Sequence, residues 1–282
     1  MIPHVCCEFP SSEGCWGGFL RKQVLYIFGR IYVLLQNRLH FAMDLDLNCD
    51  LGEGEPLSHT KSLMRSITSA NVACGGHAGN FKTLETCVCL ANEFGVNLGA
   101  HPGLWDRASF GRAAPNITPH ELELLLLHQV GAIEKVAHTN GCGLHHIKLH
   151  GALYHACDSN EKLGWRYLSA VARWWPGVRV YARAGGRVAR LGRKAGVPVW
   201  EEVFLDRGYF KDGTLVPRIE AGAQSSDLNE VRARLRSLAE DGHVIAVSGE
   251  PIRIKARTAC IHADAPQAIE RARAARKYLE KL

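Results

Sequence analysis

From residue 43 onward, short apolar segments alternate with longer segments of helical periodicity. The apolar segments predict strands at 43–48, 67–73, 96–100, 144–149, 178–182, 198–204 and 258–262, with a weaker candidate at 243–247. The periodic segments predict helices near 59–66, 80–94, 118–139, 160–174, 185–195, 227–240 and 265–280. Strands that alternate with helices indicate βαβ units and a parallel sheet.

Two helix starts carry capping signals. Thr118, Pro119 and Glu121 form a capping-box pattern at the start of the 118–139 helix, because the threonine and glutamate side chains can satisfy free backbone N–H groups. Asp264 stands before the last helical segment, and an aspartate is a favourable N-cap residue. We therefore expect Asp264 to cap that helix.

The faces of the predicted strands distinguish a closed barrel from a doubly wound open sheet. Successive strand residues point to opposite faces, so the first strand has one apolar face, with Leu45, Leu47, Cys49 and Leu51. Its other face is polar, with Asp44, Asp46, Asn48 and Asp50. An open parallel sheet covered by helices is apolar on both faces. The pattern therefore favours a TIM-like (β/α) barrel of seven or eight parallel strands with a polar site in its lumen.

Composition is that of a globular protein, with 46% apolar and 22% charged residues in 282. The net charge of +6 comes largely from arginines in the last third, which no aromatic residues interleave as a single-strand nucleic-acid groove would need. The 10 cysteines include no C-x-x-C pair, which argues against a zinc ribbon or disulfide scaffold. We expect a reduced, cytoplasmic compartment and neither nucleic-acid nor membrane partners.

The first 42 residues differ in character from the rest of the chain. Their apolar run from Val24 to Leu35 is interrupted by Arg30, and it is too short to span a bilayer. We interpret residues 1–42 as an extension outside the fold, with translation starting naturally at Met43. Residues 43–282 are then expected to form a single barrel domain.

Polar residues cluster at the carboxyl ends of the predicted strands, where barrel enzymes place their catalytic groups. They are Asp46, Asn48, Asp50, Glu53, Asn71, His77, His101, Lys148, His150, Tyr154, Glu202, Asp206, Arg207, His262 and Asp264. Carboxylates and imidazoles can transfer protons. Lys148 and Arg207 can bind a carboxylate, phosphoryl oxygens or a developing oxyanion. This set indicates a hydrolytic site.

Several common catalytic motifs are absent from the sequence. It contains no G-x-x-x-x-G-K phosphate loop, no G-x-S-x-G elbow and no H-E-x-x-H zinc motif. Cys74 precedes a glycine pair, but we interpret it as a small buried residue and not as a nucleophile.

Seven motifs in series resemble the LamB/YcsF family. They are D-L-N-C-D-L-G-E-G (46–54), S-A-N-V-A-C-G-G-H-A-G (69–79), G-A-H-P-G (99–103), H-G-A-L-Y (150–154), E-V-F-L-D-R-G-Y (202–209), L-V-P-R (215–218) and C-I-H-A-D-A-P (260–266). The resemblance runs from about residue 44 to the C-terminus and excludes the first 42 residues.

The resemblance implies a barrel of the glycoside hydrolase/deacetylase type and an activity. That activity is the ATP-dependent cleavage of 5-oxoproline to L-glutamate, performed by an A-type subunit together with 5-oxoprolinase subunits B and C. The polar residues at the strand ends match the family's positions. ATP is then a co-substrate, and Mg²⁺ is expected with its phosphates. We expect a nucleotide contact on this chain.

We assign the catalytic roles as a hypothesis of our own. Asp50 or Glu202 would act as the general base for water, and His150 or His77 would protonate the leaving nitrogen. Lys148 and Arg207 would bind the substrate carboxylate or the phosphoryl oxygens. The remaining polar residues at the strand ends would bind substrate or nucleotide.

Two alternatives stay open. In the first, the chain is a metal-dependent carbohydrate deacetylase in which Asp50, His77 and His101 hold the metal, although their spacing is too loose for a zinc signature. In the second, the chain is a non-catalytic subunit that binds substrate for catalytic partners. Whether a metal is bound is not determined by the sequence.

Overall fold

The computed structural model describes residues 45–225 and 227–281. These residues belong to one compact unit. The prediction that residues 1–42 form an extension lies outside the described residues.

A closed barrel of parallel strands forms the centre of this unit. Its strands are β1 (Asp46–Leu51), β2 (Ser69–Ala73), β3 (Asn97–His101), β4 (His146–Lys148), β5 (Arg179–Arg183), β6 (Val199–Phe204) and β9 (Thr258–His262). Strand β9 pairs in parallel with both β6 and β1, and this pairing closes the barrel at seven strands. The prediction of a barrel is confirmed.

The described helices pack around the barrel or beside it. They are α1 (Leu57–Met64), α2 (Phe81–Phe94), α3 (Pro119–Thr139), α4 (Gly151–Ser159), α5 (Glu161–Trp174), α6 (Arg187–Ala195), α7 (Leu228–Asp241) and α8 (Ala268–Leu279). Within the part of the chain that the structure describes, no helix combines the length and hydrophobicity that a membrane crossing requires.

The alternation along β1 produces the two environments expected of a barrel strand. Leu47, Cys49 and Leu51 are fully buried, and residues of this parity face the surrounding helices. Asn48 points into the lumen, where its amide donates to Glu202 of β6 at 3.0 Å and to Thr258 of β9 at 2.6 Å. The polar face of the strand is therefore buried too, and polar partners from other strands satisfy it.

The weaker strand candidate at 243–247 does not enter the barrel. Its residues form β7 (His243–Ile245), which pairs antiparallel with β8 (Pro251–Arg253). The chain reverses direction between Ala246 and Glu250, whose backbone groups are joined by a 2.8 Å hydrogen bond. So short a connection permits only antiparallel pairing, because a parallel neighbour needs a crossover of about a dozen residues.

The capping predictions have different outcomes. The Thr118–Glu121 capping box is present and begins α3, with Pro119 in its first turn. The predicted Asp264 cap is wrong, because α8 begins at Ala268 after Gln267, which makes no side-chain cap. Helix α4 was not predicted, since its nine residues follow β4 directly inside a segment that we assigned to the site.

Candidate active site

The amino end of the lumen contains a carboxylate that is satisfied entirely by hydroxyl groups. Asp46 accepts hydrogen bonds from Thr68 at 2.5 Å, Ser69 at 2.6 Å, Tyr181 at 3.0 Å and Thr258 at 2.6 Å. It lies roughly 13 Å along β1 from Asp50, at about 3.3 Å per residue. This placement favours a structural role for Asp46, whose predicted contact with substrate would have to extend from the other end of the strand.

The middle of the lumen is an ordered network of amides and rings. Asn71 donates to Asn48 Oδ1 at 2.7 Å, and His146 Nε2 donates to Asn71 Oδ1 at 2.6 Å. Burial lowers the pKa of His146 well below its ordinary value, so this ring is neutral. Tyr154 donates to Glu202 Oε2 at 2.9 Å. These bonds orient the groups directly beneath the site.

The Lys148 ammonium lies at the centre of the charged layer. Its Nζ atom is 3.0 Å from both Asp50 Oδ1 and Glu202 Oε1, and 3.0 Å from Cys260 Sγ. Burial alone would lower the pKa of Lys148, but the neighbouring carboxylates more than offset it and hold that pKa well above its ordinary value. Lys148 is therefore a buried cation that two carboxylates compensate.

Asp50 connects this layer to the imidazoles above it. Its Oδ1 atom accepts from Lys148 at 3.0 Å and from Asn71 at 2.8 Å, whereas Oδ2 lies 3.4 Å from His101 Nε2. Burial favours the neutral carboxyl, yet His101 and Lys148 together lower the pKa of Asp50 well below its ordinary value. The group is therefore ionised near neutral pH.

Glu53, His77, His101 and His150 form what we call the imidazole cluster. His101 Nδ1 lies 2.7 Å from the Lys148 carbonyl oxygen, and His150 Nε2 lies 2.9 Å from that of Phe110. A carbonyl oxygen only accepts, so both of these nitrogens carry hydrogen. The other two nitrogens, His101 Nε2 and His150 Nδ1, lie 3.0 Å apart.

Glu53 joins the members of the cluster. Its Oε1 atom lies 3.2 Å from His150 Nδ1, 3.6 Å from His101 Nε2 and 2.7 Å from His77 Nε2. Burial lowers the pKa of His77 to about 4, so the neutral ring donates to Glu53. The His77 and His150 rings are stacked, with their centroids 3.6 Å apart. A Cβ atom at Gly103 would collide with His77 Nδ1, so only glycine fits beside this stack.

A second histidine–carboxylate pair lies on the other side of the site. His262 Nδ1 donates to Asp206 Oδ1 at 2.9 Å, and the His262 backbone N–H donates to Oδ2 at 3.0 Å. Phe204 stacks on the imidazole, with ring centroids 5.6 Å apart. His262 Nε2 makes no hydrogen bond to any residue within 45–225 and 227–281. It is therefore free to contact a ligand.

These groups face a cavity of about 490 Å³ at the carboxyl ends of the strands. At its mouth, Arg112 Nη2 and Arg218 Nη1 approach Asp264 Oδ2 at 2.9 and 3.4 Å. The three residues come from three different loops. Apolar residues form part of the wall: Leu149, Phe204, Leu215, Val216, Pro217 and Ile219. The cavity thus combines a cationic mouth, an apolar wall and a charged interior.

The structure divides the predicted site residues into two groups. Those that line the cavity are Asp50, Glu53, His101, Lys148, His150, Tyr154, Arg207, His262 and Asp264. Those that support them from behind are Asp46, Asn48, Asn71, His77, Glu202 and Asp206. All of them belong to the lumen or to its carboxyl end.

Two lining residues serve the loops that surround the cavity. Arg207 donates through Nε to the Ala223 carbonyl at 3.0 Å and through Nη2 to the Val216 carbonyl at 2.6 Å, so two of its three guanidinium nitrogens hold the loop that follows β6. Asp264 is already paired with arginines and is not placed as a direct ligand of an anion. Arg112, which is exposed, and Arg218, which is half-buried, present their guanidinium groups at the mouth instead.

Our prediction omitted four residues that the structure places in the site. His146 and Cys260 occupy the alternate strand positions that face the lumen, two residues before Lys148 and His262. The alternation of side chains along a strand could therefore have identified them. Arg218 ends the L-V-P-R motif, which we quoted without assigning it a role. Arg112 follows Gly111 in a loop, and no strand pattern marks it.

Among the residues that the structure describes, two groups of side chains have donor atoms close enough together to hold a metal ion. They are Asp50, Cys260 and His262 in one case and the imidazole cluster in the other. In the first group, Lys148 Nζ already lies 3.0 Å from both the carboxylate and the sulfur. Burial also raises the pKa of the Cys260 thiol well above its ordinary value, which disfavours a thiolate ligand. Of these two groups, only the imidazole cluster remains open to a cation.

A closed parallel barrel with acids, imidazoles and a lysine at the carboxyl ends of its strands defines a (β/α)-barrel enzyme. Residues 45–282 match the sequence profile of the LamB/YcsF family. The chain belongs to this family, which confirms the resemblance found in its motifs.

Relatives and a solved structure agree with this assignment. The chain is 40% identical over 242 residues to the 5-oxoprolinase A subunit of Pyrococcus abyssi, covering 85% of this chain and 95% of the relative. It is 38% identical over 242 residues to the protein of the same name in Nitrobacter winogradskyi, covering 84% of this chain and 95% of the relative. The lactam utilization protein of Thermus thermophilus superposes with a TM-score of 0.79 at 35% identity, covering 84% of this chain and 96% of that one.

The Asp206–His262 pair predicts a pH-dependent contribution to stability. Burial alone would raise the pKa of Asp206, but His262 lowers it from 3.8 to about 2. A depressed folded-state pKa stabilises the fold above the unfolded pKa, and that stability is lost as the pH falls through the folded pKa. We expect Asp206→Asn to be destabilised at pH 6, with a difference from wild type that shrinks between about pH 4 and 2. Urea denaturation at several pH values measures this, and a difference independent of pH would contradict it.

Proposed function

We propose that this chain is the A subunit of an ATP-dependent 5-oxoprolinase, which hydrolyses the lactam of 5-oxo-L-proline to L-glutamate. The observation that carries the proposal is one cavity that joins two mouth arginines to an ionised Asp50 and to the Asp206–His262 pair. The family and the names of the relatives support the same activity.

The chemistry explains why ATP is needed. The lactam retains its amide resonance, and opening a five-membered ring releases little strain. Phosphorylation of the amide oxygen would make the carbonyl carbon open to attack. This step forms a new oxygen–phosphorus bond and releases ADP. Water then adds to the activated carbon, the carbon–nitrogen bond breaks, and the nitrogen takes a proton to become the amine, which leaves the side-chain carboxyl group as an acyl phosphate. A second water hydrolyses this acyl phosphate, so that glutamate and inorganic phosphate are released.

The cavity suggests one orientation of the substrate. A carboxylate binds well to arginine through charge-assisted hydrogen bonds, and Arg112 and Arg218 lie at the mouth. The ring would then lie against the apolar wall at Leu149 and Phe204, with its carbonyl group directed inward. The Lys148 ammonium is the cation closest to that end, and it would stabilise the developing oxyanion.

Geometry favours Asp50 over Glu202 as the group that accepts a proton from water. Asp50 lines the cavity. Glu202 lies behind it, because its two oxygens accept hydrogen bonds from Asn48, Lys148 and Tyr154. A general base must reach the proton that it removes, and among the two only Asp50 meets this condition.

The geometry also favours a proton donor other than His150 or His77, the two residues that we expected. His77 lies behind the cavity and donates to Glu53, and both nitrogens of His150 already have partners. His262 instead lines the cavity with Nε2 free, and Asp206 orients its ring from the other nitrogen. We therefore propose that His262 protonates the leaving nitrogen, with Asp206 as a positioning residue.

We propose that this chain works with 5-oxoprolinase subunits B and C and that Mg-ATP contacts it at the cavity mouth. The relatives are named as one lettered subunit of 5-oxoprolinase, which supports a multi-subunit enzyme. Arg112 and Arg218 lie at the mouth, and guanidinium groups suit phosphate oxygens. Mg²⁺ would arrive with the phosphates.

Asp50→Asn tests the assignment of the base. Because the amide cannot accept the proton, we expect kcat to fall by roughly 10²- to 10⁴-fold, measured as glutamate released by the complex with subunits B and C. Glu85→Gln, at an exposed position on α2, is the control and should match wild type. If a folded Asp50→Asn protein keeps full activity, the assignment is wrong.

Arg112→Gln and Arg218→Gln test the substrate anchor. Each change removes a charge-assisted hydrogen bond worth about 1.5–3 kcal/mol, so we expect KM for 5-oxoproline to rise roughly ten- to a hundredfold with a smaller change in kcat. Arg193 is an exposed residue of α6 that pairs with Glu201 of β6, and Arg193→Gln serves as the control. An unchanged KM in both mouth variants would place the carboxylate elsewhere.

Calorimetric titration of the isolated chain with Mg-ATP tests the nucleotide contact. We expect one binding event per chain, weakened in the double variant Arg112→Gln, Arg218→Gln, because both guanidinium groups face the mouth. Absence of binding heat, together with binding to subunits B and C, would assign the nucleotide to the partners.

A further inference from the structure

The His101 and His150 rings of the imidazole cluster are oriented so that one nitrogen of each ring faces the other. The carbonyl oxygens of Lys148 and Phe110 accept the hydrogens of His101 Nδ1 and His150 Nε2. In neutral rings the remaining nitrogens therefore carry lone pairs. Those two nitrogens lie 3.0 Å apart, an arrangement that requires either a proton or a metal ion between or beside them. Burial alone would lower the pKa of His101, but Asp50 and Glu53 raise it above its ordinary value, so a proton on Nε2 meets this requirement when no metal is bound.

The third member of this triangle is a carboxylate oxygen. Glu53 Oε1 lies 3.2 Å from His150 Nδ1 and 3.6 Å from His101 Nε2. Ligand atoms placed 2.0–2.1 Å from a tetrahedral ion are separated from one another by about 3.3 Å. The three measured separations are 3.0, 3.2 and 3.6 Å, so a small inward movement places all three atoms at bonding distance from one ion.

We propose that Glu53, His101 and His150 bind one divalent transition-metal ion of the zinc type, with a fourth position open to the cavity. Two imidazoles and a carboxylate suit Zn²⁺ and Co²⁺, whereas Mg²⁺ prefers oxygen ligands. All three residues line the cavity, and a site with three protein ligands and an open position is the arrangement found in catalytic zinc centres.

The surroundings match those of metal ligands. Ligating histidines usually donate their second N–H to a carbonyl or carboxylate, which fixes the ring and its tautomer. His101 and His150 both do so through backbone carbonyls. The ligating carboxylate is also hydrogen-bonded, because His77 Nε2 donates to Glu53 Oε1 at 2.7 Å. His77 is therefore a positioning residue in this arrangement and not a fourth ligand.

The charges around the triangle also accommodate a cation. Asp50 Oδ2 lies 3.4 Å from His101 Nε2 and adds negative charge beside the ion. The nearest ammonium, Lys148 Nζ, is engaged by Asp50 and Glu202 below this level. When bound, such an ion lowers the pKa of a coordinated water, and Asp50 would accept a proton next to it.

This metal site deepens the proposed function and rests on it for its role, but its test requires neither 5-oxoproline nor ATP. The untagged protein is stripped with a chelator and titrated with Co²⁺, whose visible absorption reports tetrahedral coordination, and separately with Zn²⁺ by calorimetry. We expect one ion per chain. His101→Asn, His150→Asn and Glu53→Gln should each weaken binding by at least a hundredfold, since each removes a ligand.

Two further variants separate the ligands from their surroundings. His77→Asn should weaken binding by roughly ten- to a hundredfold, as losses of hydrogen bonds to a ligand do, without changing the stoichiometry. His138→Asn, at an exposed position on α3, should bind like wild type. Thermal melting of each stripped protein checks folding, and Glu53→Gln preserves side-chain shape if a histidine variant does not fold.

Two results would overturn the metal site. Less than a tenth of an equivalent of bound ion in wild type would show that a shared proton and not a metal joins the two imidazoles. An affinity unchanged by all three ligand substitutions would show that the ion binds at a different place. Metal binding that persists in a protein with no 5-oxoprolinase activity in the presence of subunits B and C would support the site and refute the proposed function alone.

Discussion

The buried Lys148 ammonium is the interaction on which the rest of the site depends. It lies 3.0 Å from the carboxylates of Asp50 and Glu202, and the three groups come from β4, β1 and β6. Removing one partner of a buried ion pair costs about 3–5 kcal/mol, because the remaining charge stays without compensation. The charged layer is therefore stable only when these three strands are closed around the same lumen.

This requirement explains the layered order of the lumen. At the amino end, neutral hydroxyl groups donate hydrogen bonds to Asp46. Above it, hydrogen bonds from His146 to Asn71 and from Asn71 to Asn48 fix the orientation of these side chains. Formal charges of both signs accumulate only near the carboxyl end, where the cavity admits a ligand. The lower layers hold the upper groups in position, which is a condition for stabilising developing charge without reorganisation.

Backbone atoms provide much of the precision at the top of the barrel. The carbonyl groups of Lys148 and Phe110 determine which nitrogen of His101 and His150 carries hydrogen. Phe110 adopts a φ of 56°, a left-handed conformation that costs a non-glycine residue of order 1–3 kcal/mol. Its carbonyl reaches His150 in this conformation, so the loop after β3 carries strain at the position where it orients a site residue.

All seven barrel strands, every described helix except α4, the polar face of β1 and membership of the family could be predicted from the sequence alone. These features are local or periodic, and the two-residue repeat of a strand assigned Asn48, Asp50 and Lys148 to the lumen without knowledge of their partners. Which of these residues reach the cavity depends on the three-dimensional arrangement of the strands and loops. Glu202 and His77 lie behind it, although their sequence signals equal those of Asp50 and His150.

The roles of the loop residues likewise depend on the tertiary structure. Asp264 pairs with Arg112 and Arg218 and does not cap α8, because three loops distant in sequence converge at the mouth only after the barrel closes. Alternation places a side chain on a face, but it specifies neither depth nor partner, since those depend on how far each strand and loop extends beyond the closed sheet.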